Sequence, residues 1–242
     1  MAHSIPSPCA AKILLTRPLR QAERFAGVLR ETFGEGLEIE ISPVLEIRFI
    51  DADLDLNAVD GFVFTSENGV AGIVKNSAHR DLPAFCVGDR TAEAARDAGF
   101  KATSAHGDVD ALAKLLAREA LGQTLLYVRG KHVARDLAPL LAGAEITLRE
   151  AVLYDQVERP VSEAARMLLN GSDRVLCPLF SPRSARLFSQ ALDPKPSAPR
   201  VALCLSPAVA EACPPDAFDQ VFICAAPDLQ SMIELIKTHC AR

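Results

Sequence analysis

The sequence has little of what marks nucleic-acid-binding, membrane or secreted proteins. It contains no Trp and only two Tyr in 242 residues, and acidic side chains outnumber basic ones by 31 to 26. A nucleic-acid surface usually combines clustered Lys and Arg with aromatic platforms. No apolar run approaches the roughly 20 residues that cross a bilayer, and the N-terminus lacks the apolar core of a secretion signal. We therefore expect a soluble, cytoplasmic protein with no nucleic-acid or membrane partner.

Motifs for metals, cofactors and covalent catalysis are also missing. No C-x-x-C pair occurs among the seven cysteines, and the five histidines have no metal-ligand spacing. Cys86, Cys177, Cys204 and Cys224 lie inside apolar runs, where cysteine behaves as a small hydrophobic residue, so we predict reduced core thiols there. Neither a glycine-rich phosphate loop nor a G-x-S-x-G elbow is present. The sequence thus predicts no metal, no cofactor and no obvious nucleophile.

What the chain does contain is a regular alternation of short apolar runs with segments of helical period. Runs that are apolar throughout are typical of strands buried on both faces, as in parallel sheets. The alternation predicts an α/β fold, and the length fits one large domain or two small ones. The seven predicted strands are 12–16, 61–66, 84–88, 125–130, 174–181, 200–206 and 220–226. Two further extended stretches, 39–49 and 146–157, are predicted to connect domains.

The chain also repeats itself weakly, with a period of roughly 115 residues. Four blocks recur in the same order and with similar spacing. The blocks that begin at residues 12, 61, 84 and 107 resemble those that begin at 124, 174, 201 and 226. We therefore predict two similar α/β domains.

Hydroxyl, glycine and basic residues follow the predicted strands. Ligands of open parallel sheets bind beyond the carboxyl ends of the strands, where helix N-termini attract anions. Each residue alone has a structural explanation, since Ser66 and Ser181 are good N-caps and Pro18, Pro182 and Pro207 suit first helical positions. Together the loops predict one cleft for an anionic ligand. Its walls would carry Arg17, Arg90, Arg129, Lys131, Arg135 and Arg183.

Five short motifs occur in a fixed order from about residue 12 onward. They are Thr16-Arg17-Pro18, Phe64-Thr65-Ser66-Glu67-Asn68-Gly69-Val70, Val87-Gly88-Asp89-Arg90-Thr91-Ala92, Arg129-Gly130 with Arg135 and Leu137, and Val152-Leu153-Tyr154. In this order they make the chain similar to the uroporphyrinogen-III synthase family. The resemblance implies a cofactor-free enzyme that closes hydroxymethylbilane, a linear tetrapyrrole polycarboxylate, to uroporphyrinogen III with inversion of ring D and loss of water.

The resemblance also implies the domain arrangement. It consists of two similar, flavodoxin-like, parallel-sheet α/β domains joined by a two-stranded β-ladder hinge. The first domain is discontinuous and comprises residues 1–43 and 158–242, the second comprises residues 50–150, and the ladder comprises residues 44–49 and 151–157. No apolar helix face is obviously left over for a partner, so we expect a monomer.

Site residues carried over from the family begin with Tyr154, whose phenol would donate a proton or hydrogen bond to the departing hydroxyl. A Tyr at the end of a buried strand is also commonly a packed ring, and this alternative stays open. The expected substrate-binding residues are Arg17, Thr65, Ser66, Asn68, Gly88, Thr91, Arg129, Gly130, Lys131, Arg135, Ser181, Arg183 and Ser206.

Two departures from the family pattern stand out. Ala208 follows Ser206-Pro207 where many relatives have a hydroxyl, and Pro178 removes a ladder donor, which suits a bulge or an edge strand. Two other functions remain open on the residues alone. One is a hinged two-domain binding protein for a polyanionic small molecule, and the other is a phosphosugar or nucleotide enzyme, which the missing phosphate motifs disfavour.

Overall fold

The structure is a computed structural model that describes residues 11–133, 135–192 and 197–240. The chain divides into two compact units: unit 1 is Met1–Glu46 with Glu158–Arg242, and unit 2 is Ile47–Val157. Within the described ranges, no helix is long and apolar enough to cross a bilayer.

Unit 1 contains a five-stranded sheet in the order β11-β10-β9-β1-β2, in which all neighbouring pairs are parallel. Its strands are β1 (Lys12–Leu15), β2 (Ile39–Ile41), β9 (Val175–Leu179), β10 (Arg200–Cys204) and β11 (Gln220–Ile223). Its helices are α1 (Leu19–Phe33), α5 (Glu163–Leu169), α6 (Pro182–Gln190), α7 (Pro207–Glu211) and α8 (Leu229–Cys240).

The three central strands of unit 1, β1, β9 and β10, are buried on both faces, because helices cover each face. Leu14 and Cys177 belong to one apolar cluster, and Ile13 and Leu176 belong to the cluster on the opposite face, together with Phe25 of α1. This alternation explains the continuous apolar runs of the sequence. The predicted core thiols at Cys86, Cys177, Cys204 and Cys224 are confirmed, since all four are free and buried.

Unit 2 contains most of a six-stranded sheet in the order β3-β8-β7-β4-β5-β6. Its strands are β3 (Leu45–Phe49), β4 (Gly61–Phe64), β5 (Pro83–Cys86), β6 (Lys101–Ser104), β7 (Thr124–Gly130) and β8 (Thr147–Glu158). Its helices are α2 (Glu67–Asn76), α3 (Asp89–Asp97) and α4 (Val109–Glu119), with a 3₁₀ turn at Ala138–Leu141. The strands β3 and β8 cross the boundary between the two units.

All seven predicted strands are present, most of them a few residues shorter than predicted. The stretches predicted as connections belong to sheets. β2 pairs in parallel with β1, and β8 pairs with β7 from Thr147 to Tyr154. Backbone hydrogen bonds from Ile50 N to Leu153 O and from Arg159 N to Val44 O place β3 antiparallel to β8, since the numbers rise along one strand and fall along the other.

The expectation that Pro178 marks a bulge or an edge strand is wrong. β9 is the central strand of its sheet, between β10 and β1. The register between β1 and β9 covers Lys12 with Val175 and Ile13 with Leu176. Pro178 lies two residues beyond that register, so its missing N–H falls where β9 pairs with β10 on one side only.

Candidate functional site

The ring of Tyr154 lies against the backbone of Gly130 at the carboxyl end of β7. A Cβ atom added at Gly130 would come within 2.5 Å of Tyr154 Cε2 and 2.7 Å of its Cζ. Only glycine leaves room for this approach. Tyr154 is 5% exposed, and its carbonyl accepts a hydrogen bond of 2.9 Å from the N–H of Lys131.

A shift in strand register brings the two residues together. Arg129 is opposite Val152 in the β7–β8 pairing, but the next residue, Gly130, is opposite Tyr154. The extra residue on β8 is a bulge, and bulges near active sites redirect side chains. Here the bulge sets the Tyr154 ring over the last residue of β7.

The N-terminus of α2 follows β4 at the same edge of the sheet. Ser66 caps the helix by accepting a hydrogen bond of 3.0 Å from the N–H of Asn68, as predicted. Added Cβ atoms at Gly69 and Gly72 would lie 2.9 Å from Val128 O and Leu153 Cβ. The glycines therefore let α2 lie close against β7 and β8. Sequence reasoning missed this role, although Gly69 belongs to a motif quoted above.

The phenol of Tyr154 is suited to donating a proton or hydrogen bond. Burial raises its pKa above the ordinary value, and the Ser66 hydroxyl and the Gly130 backbone partly oppose this effect. The group is therefore protonated at neutral pH. A buried, protonated phenol beside a capped helix start can act on an oxygen that develops negative charge.

The helix α3 begins at the end of β5 without a side-chain cap. Its N-cap residue is Gly88, which has no side chain to bond the first amides of the helix. Thr91 lies in the first turn and is 6% exposed, so its side chain packs inward. The first turn of α3 thus offers backbone N–H groups to an anion.

The basic residues predicted for unit 2 all take part in ion pairs with neighbouring carboxylates. Arg129 contacts Glu150 Oε2 through Nε at 2.9 Å and Nη2 at 2.7 Å. Three further pairs are Lys131–Asp155 at 3.6 Å, Arg135–Asp110 at 2.5 Å and Arg90–Glu67 at 2.9 Å. These acids would compete with a carboxylate ligand. The segment after Arg135 forms the 3₁₀ turn at Ala138–Leu141.

In unit 1 the predicted residues also follow the carboxyl ends of strands. The guanidinium of Arg17, after β1, stacks over the Phe180 ring at 3.9 Å from its centroid. Ser181, after β9, caps α6 by accepting a hydrogen bond of 3.1 Å from the N–H of Ser184. Arg183, in the first turn of α6, is partly exposed.

The prolines predicted at first helical positions, and Ser206, follow the simple capping rules only in part. Pro182 and Pro207 occupy first helical positions, as predicted, whereas Pro18 is itself the N-cap residue of α1. Ser206 occupies the N-cap position of α7 but makes no side-chain capping bond.

One polar pair escaped the sequence analysis. The hydroxyls of Thr65 and Tyr127 lie 3.2 Å apart, and Tyr127 is 1% exposed on β7. The signal was a tyrosine inside an otherwise apolar strand, because a buried phenol needs a hydrogen-bond partner. Among the described residues, no group of three or more His, Cys, Asp or Glu is placed to hold a metal ion.

Fold and site together define an α/β protein with two mainly parallel sheets and with hydroxyls, helix starts and basic residues at the carboxyl ends of the strands in each. The family model described as "Uroporphyrinogen-III synthase HemD" matches residues 24–234. The chain belongs to the uroporphyrinogen-III synthase family, and so to a family of enzymes of tetrapyrrole biosynthesis. This favours the enzyme over a binding protein.

Relatives found by sequence agree with the family. The chain is 29% identical over 201 residues to a uroporphyrinogen-III synthase of Chlorobaculum parvum, covering 76% of this chain and 80% of that one. It is 41% identical over 63 residues to a putative uroporphyrinogen-III synthase of Methanocaldococcus jannaschii, a match to 26% of this chain and 25% of that one.

The fold is similar to that of a uroporphyrinogen-III synthetase from Helicobacter pylori. That comparison gives a TM-score of 0.69 at 16% identity over 94% of this chain and 99% of the other. A mutant uroporphyrinogen III synthase from Thermus thermophilus gives a TM-score of 0.52 at 15% identity over 96% and 99%.

Proposed function

We propose that this chain closes hydroxymethylbilane to uroporphyrinogen III and that the carboxyl edge of the sheet in unit 2 carries the chemistry. The observation that carries the proposal is the buried Tyr154 ring set against Gly130 beside the start of α2. Loss of water from the terminal hydroxymethyl group breaks a C–O bond, and the departing oxygen needs a proton. The protonated Tyr154 phenol supplies that proton or a hydrogen bond to the same oxygen.

Control of geometry is the second task. The electrophile left by water loss closes without help to the uninverted type I isomer, so the enzyme must direct attack from the substituted carbon of ring D. We propose that the substrate's carboxylates bind to hydroxyls, helix amides and cations at strand ends. In unit 2 these are Thr65, Ser66, Asn68, Gly88, Thr91, Arg129, Gly130, Lys131 and Arg135, and in unit 1 they are Arg17, Ser181, Arg183 and Ser206.

The isomer of the product tests this function directly. The protein is incubated with freshly made hydroxymethylbilane, and the products are oxidised and separated by chromatography. We expect the type III isomer in the presence of protein and the type I isomer without it. Type I alone at every protein concentration would reject the enzyme and favour the binding protein. We also propose that the active form is a monomer without a cofactor, which light scattering and activity after dialysis against chelator would check.

Tyr154→Phe tests the proposed proton donor. The substitution removes only the hydroxyl, so we expect turnover to fall at least about tenfold, or roughly 1.4 kcal/mol of barrier. The measurement is kcat for formation of the type III isomer in the folded variant. Thr32→Val is the matched control, because it also removes a hydroxyl, one that donates to Val28 O within α1. Near wild-type turnover of Tyr154→Phe would leave Tyr154 a packing residue.

A further inference from the structure

The mechanism proposed above gives no role to the second tyrosine of the chain. Tyr127 lies on β7, between β8 and β4, and its side chain is fully buried. Its hydroxyl lies 3.2 Å from Thr65 Oγ1, which follows the end of β4. Burial raises the pKa of the Tyr127 phenol more than its charged and polar neighbours lower it. The phenol is therefore a neutral hydrogen-bonding group at physiological pH.

Unit 1 provides an internal comparison for this pair. The central strands β4 and β7 pair with Gly61 opposite Leu125. In unit 1 the strands at the same places in the sheet, β9 and β1, pair with Leu176 opposite Ile13. These two register points align the sheets residue by residue.

Counting along the strands from those points gives the equivalents of the hydroxyl pair. Tyr127 lies two residues after Leu125, and its equivalent is Leu15, two residues after Ile13. Thr65 lies four residues after Gly61, and its equivalent is Phe180, four after Leu176. Unit 1 therefore has two apolar side chains where unit 2 has two hydroxyls, and the fold does not require the polar pair.

The direction of the hydrogen bonds suggests what the pair does. A carboxylate accepts hydrogen bonds but donates none, so a threonine hydroxyl that binds it must use its own proton. If the Tyr127 hydroxyl donates to Thr65 Oγ1, the Thr65 proton is directed away from Tyr127. Because packing holds the buried Tyr127 phenol in place, its hydroxyl offers one fixed donor to Thr65 Oγ1.

We propose that Tyr127 is a positioning residue that orients the Thr65 hydroxyl towards a carboxylate of the substrate. The inference rests on the proposed function, in which Thr65 binds substrate. Tyr127 acts through Thr65 and does not touch the reacting atoms. The charged residues that act electrostatically on the Tyr127 phenol are Arg129 and Glu150, and these two form an ion pair with each other. The proposed role belongs to the Tyr127 hydroxyl, because a ring without a hydroxyl would pack in the core equally well.

The test is a double-mutant cycle on the steady-state kinetics. Tyr127→Phe is expected to raise KM for hydroxymethylbilane about fivefold to tenfold and to change kcat less than about twofold, as loss of an orienting contact predicts. Thr65→Val is expected to raise KM by a similar factor. The double variant is expected to be no worse than the poorer single variant, because the two residues form one unit. Thr65→Ser keeps a hydroxyl and should stay within about twofold of wild type.

Val63→Ala separates positioning from simple loss of stability. Val63 is fully buried on β4, directly opposite Tyr127 in the same apolar cluster, and it carries no hydroxyl. The variant is expected to lower the thermal midpoint while leaving KM unchanged well below that temperature. Equal effects of Val63→Ala and Tyr127→Phe on KM would overturn the inference.

The outcomes also separate the inference from the function on which it rests. An active wild-type enzyme with an unchanged KM in Tyr127→Phe would overturn the inference alone. Additive effects of Tyr127→Phe and Thr65→Val would do the same, since independent residues share no coupling. A wild-type chain that forms only the type I isomer would overturn both.

Discussion

The two sheets share an arrangement of five parallel strands, to which β3 adds an antiparallel edge strand in the second, but the chain enters this arrangement at a different strand in each. From one side to the other, unit 1 reads β11-β10-β9-β1-β2 and unit 2 reads β6-β5-β4-β7-β8. The central pair is β9 and β1 in one and β4 and β7 in the other. Numbered along the chain, unit 1 has the order 2-1-3-4-5 of flavodoxin-like sheets, and unit 2 is its cyclic permutation. The sequence repeat follows this correspondence.

Equivalent positions at the strand ends differ far more than the strands do. The end of β7 is Gly130, with the Tyr154 ring against it, whereas its equivalent after β1 is Pro18. The loop after β4 presents Thr65 where the loop after β9 presents Phe180, under the Arg17 guanidinium. One scaffold therefore supports two unlike edges, and the proposed chemistry resides in the loops of unit 2.

The largest expected effect comes from replacing Gly130, the glycine that lets the Tyr154 ring lie against the end of β7. Gly130→Ala puts a Cβ 2.5 Å from Tyr154 Cε2, so the ring must move off the backbone. We expect kcat for the type III isomer to fall at least about tenfold, as in Tyr154→Phe, and up to about a hundredfold, the effect that displacement of a catalytic group by about 1 Å can have. Turnover within a few-fold of wild type would show that the ring contact is not needed.

Gly27→Ala is the matched control for this substitution. Gly27 lies inside α1, and an added Cβ meets nothing within 4 Å. Alanine favours a helix interior over glycine by about 0.5–1 kcal/mol, so the control should be slightly more stable. Its kcat should equal that of the wild type.

A second comparison concerns equivalent thiols. Cys86 on β5 is opposite Phe64 of β4, and Cys204 on β10 is opposite Leu179 of β9. Burial raises the pKa of the Cys86 thiol from 9.0 to about 12. The Cys204 pKa is raised first by its hydrogen bond with Cys213 and then by burial. The same position thus holds an isolated thiol in unit 2 and a paired thiol in unit 1.

The isolated thiol predicts a loss of stability in alkali. A pKa that is higher in the folded state gives stability that is complete below pH 9 and declines as the pH rises towards 12. At pH 10.5, Cys86 should account for roughly 2 kcal/mol of the loss in unfolding free energy. Denaturant unfolding at pH 7.5 and 10.5 should show that the unfolding free energy falls less with pH in Cys86→Ala than in the wild type. Ile73→Val, in the same cluster, keeps the thiol, so its unfolding free energy should fall by as much as that of the wild type.

The sequence predicted the central strands well, because burial on both faces leaves a continuous apolar run. It placed β2 in an extended connection and missed β6, and both strands lie at sheet edges with mostly half-buried or exposed side chains. Such strands have no continuous apolar run. The stretch of β8 was predicted as a connection because it reads as a long extended stretch with a few charges, although the strand pairs with β7 from Thr147 to Tyr154.

Site prediction was limited in a different way. Capping by Ser66 and Ser181 follows from local sequence and was predicted. The bulge that brings Tyr154 to Gly130 depends on the pairing of distant strands, for which local sequence carries no signal. The same holds for the ion pair of Arg129, since Glu150 lies on the neighbouring strand.

The smallest expected effect concerns two equivalent arginines. Arg129 follows Leu125 by four residues and Arg17 follows Ile13 by four, yet the first contacts Glu150 while the second stacks on Phe180. Glu150→Gln removes the competing charge beside Arg129. We expect KM for hydroxymethylbilane to fall about threefold at low salt and to change less at high salt. The effect is small because a partly exposed ion pair contributes little free energy, and salt screens it further.

Glu119→Gln is the control for a general change of net charge. Glu119 pairs with Arg118 at the end of α4, and its loss alters the charge of the chain by the same amount. It should leave KM unchanged at both salt concentrations. A rise in KM for Glu150→Gln would reverse the interpretation, because Glu150 would then hold Arg129 in place for the substrate. Glu150 would in that case do for Arg129 what the Phe180 ring does for Arg17, and the two edges would be more alike than their charges indicate.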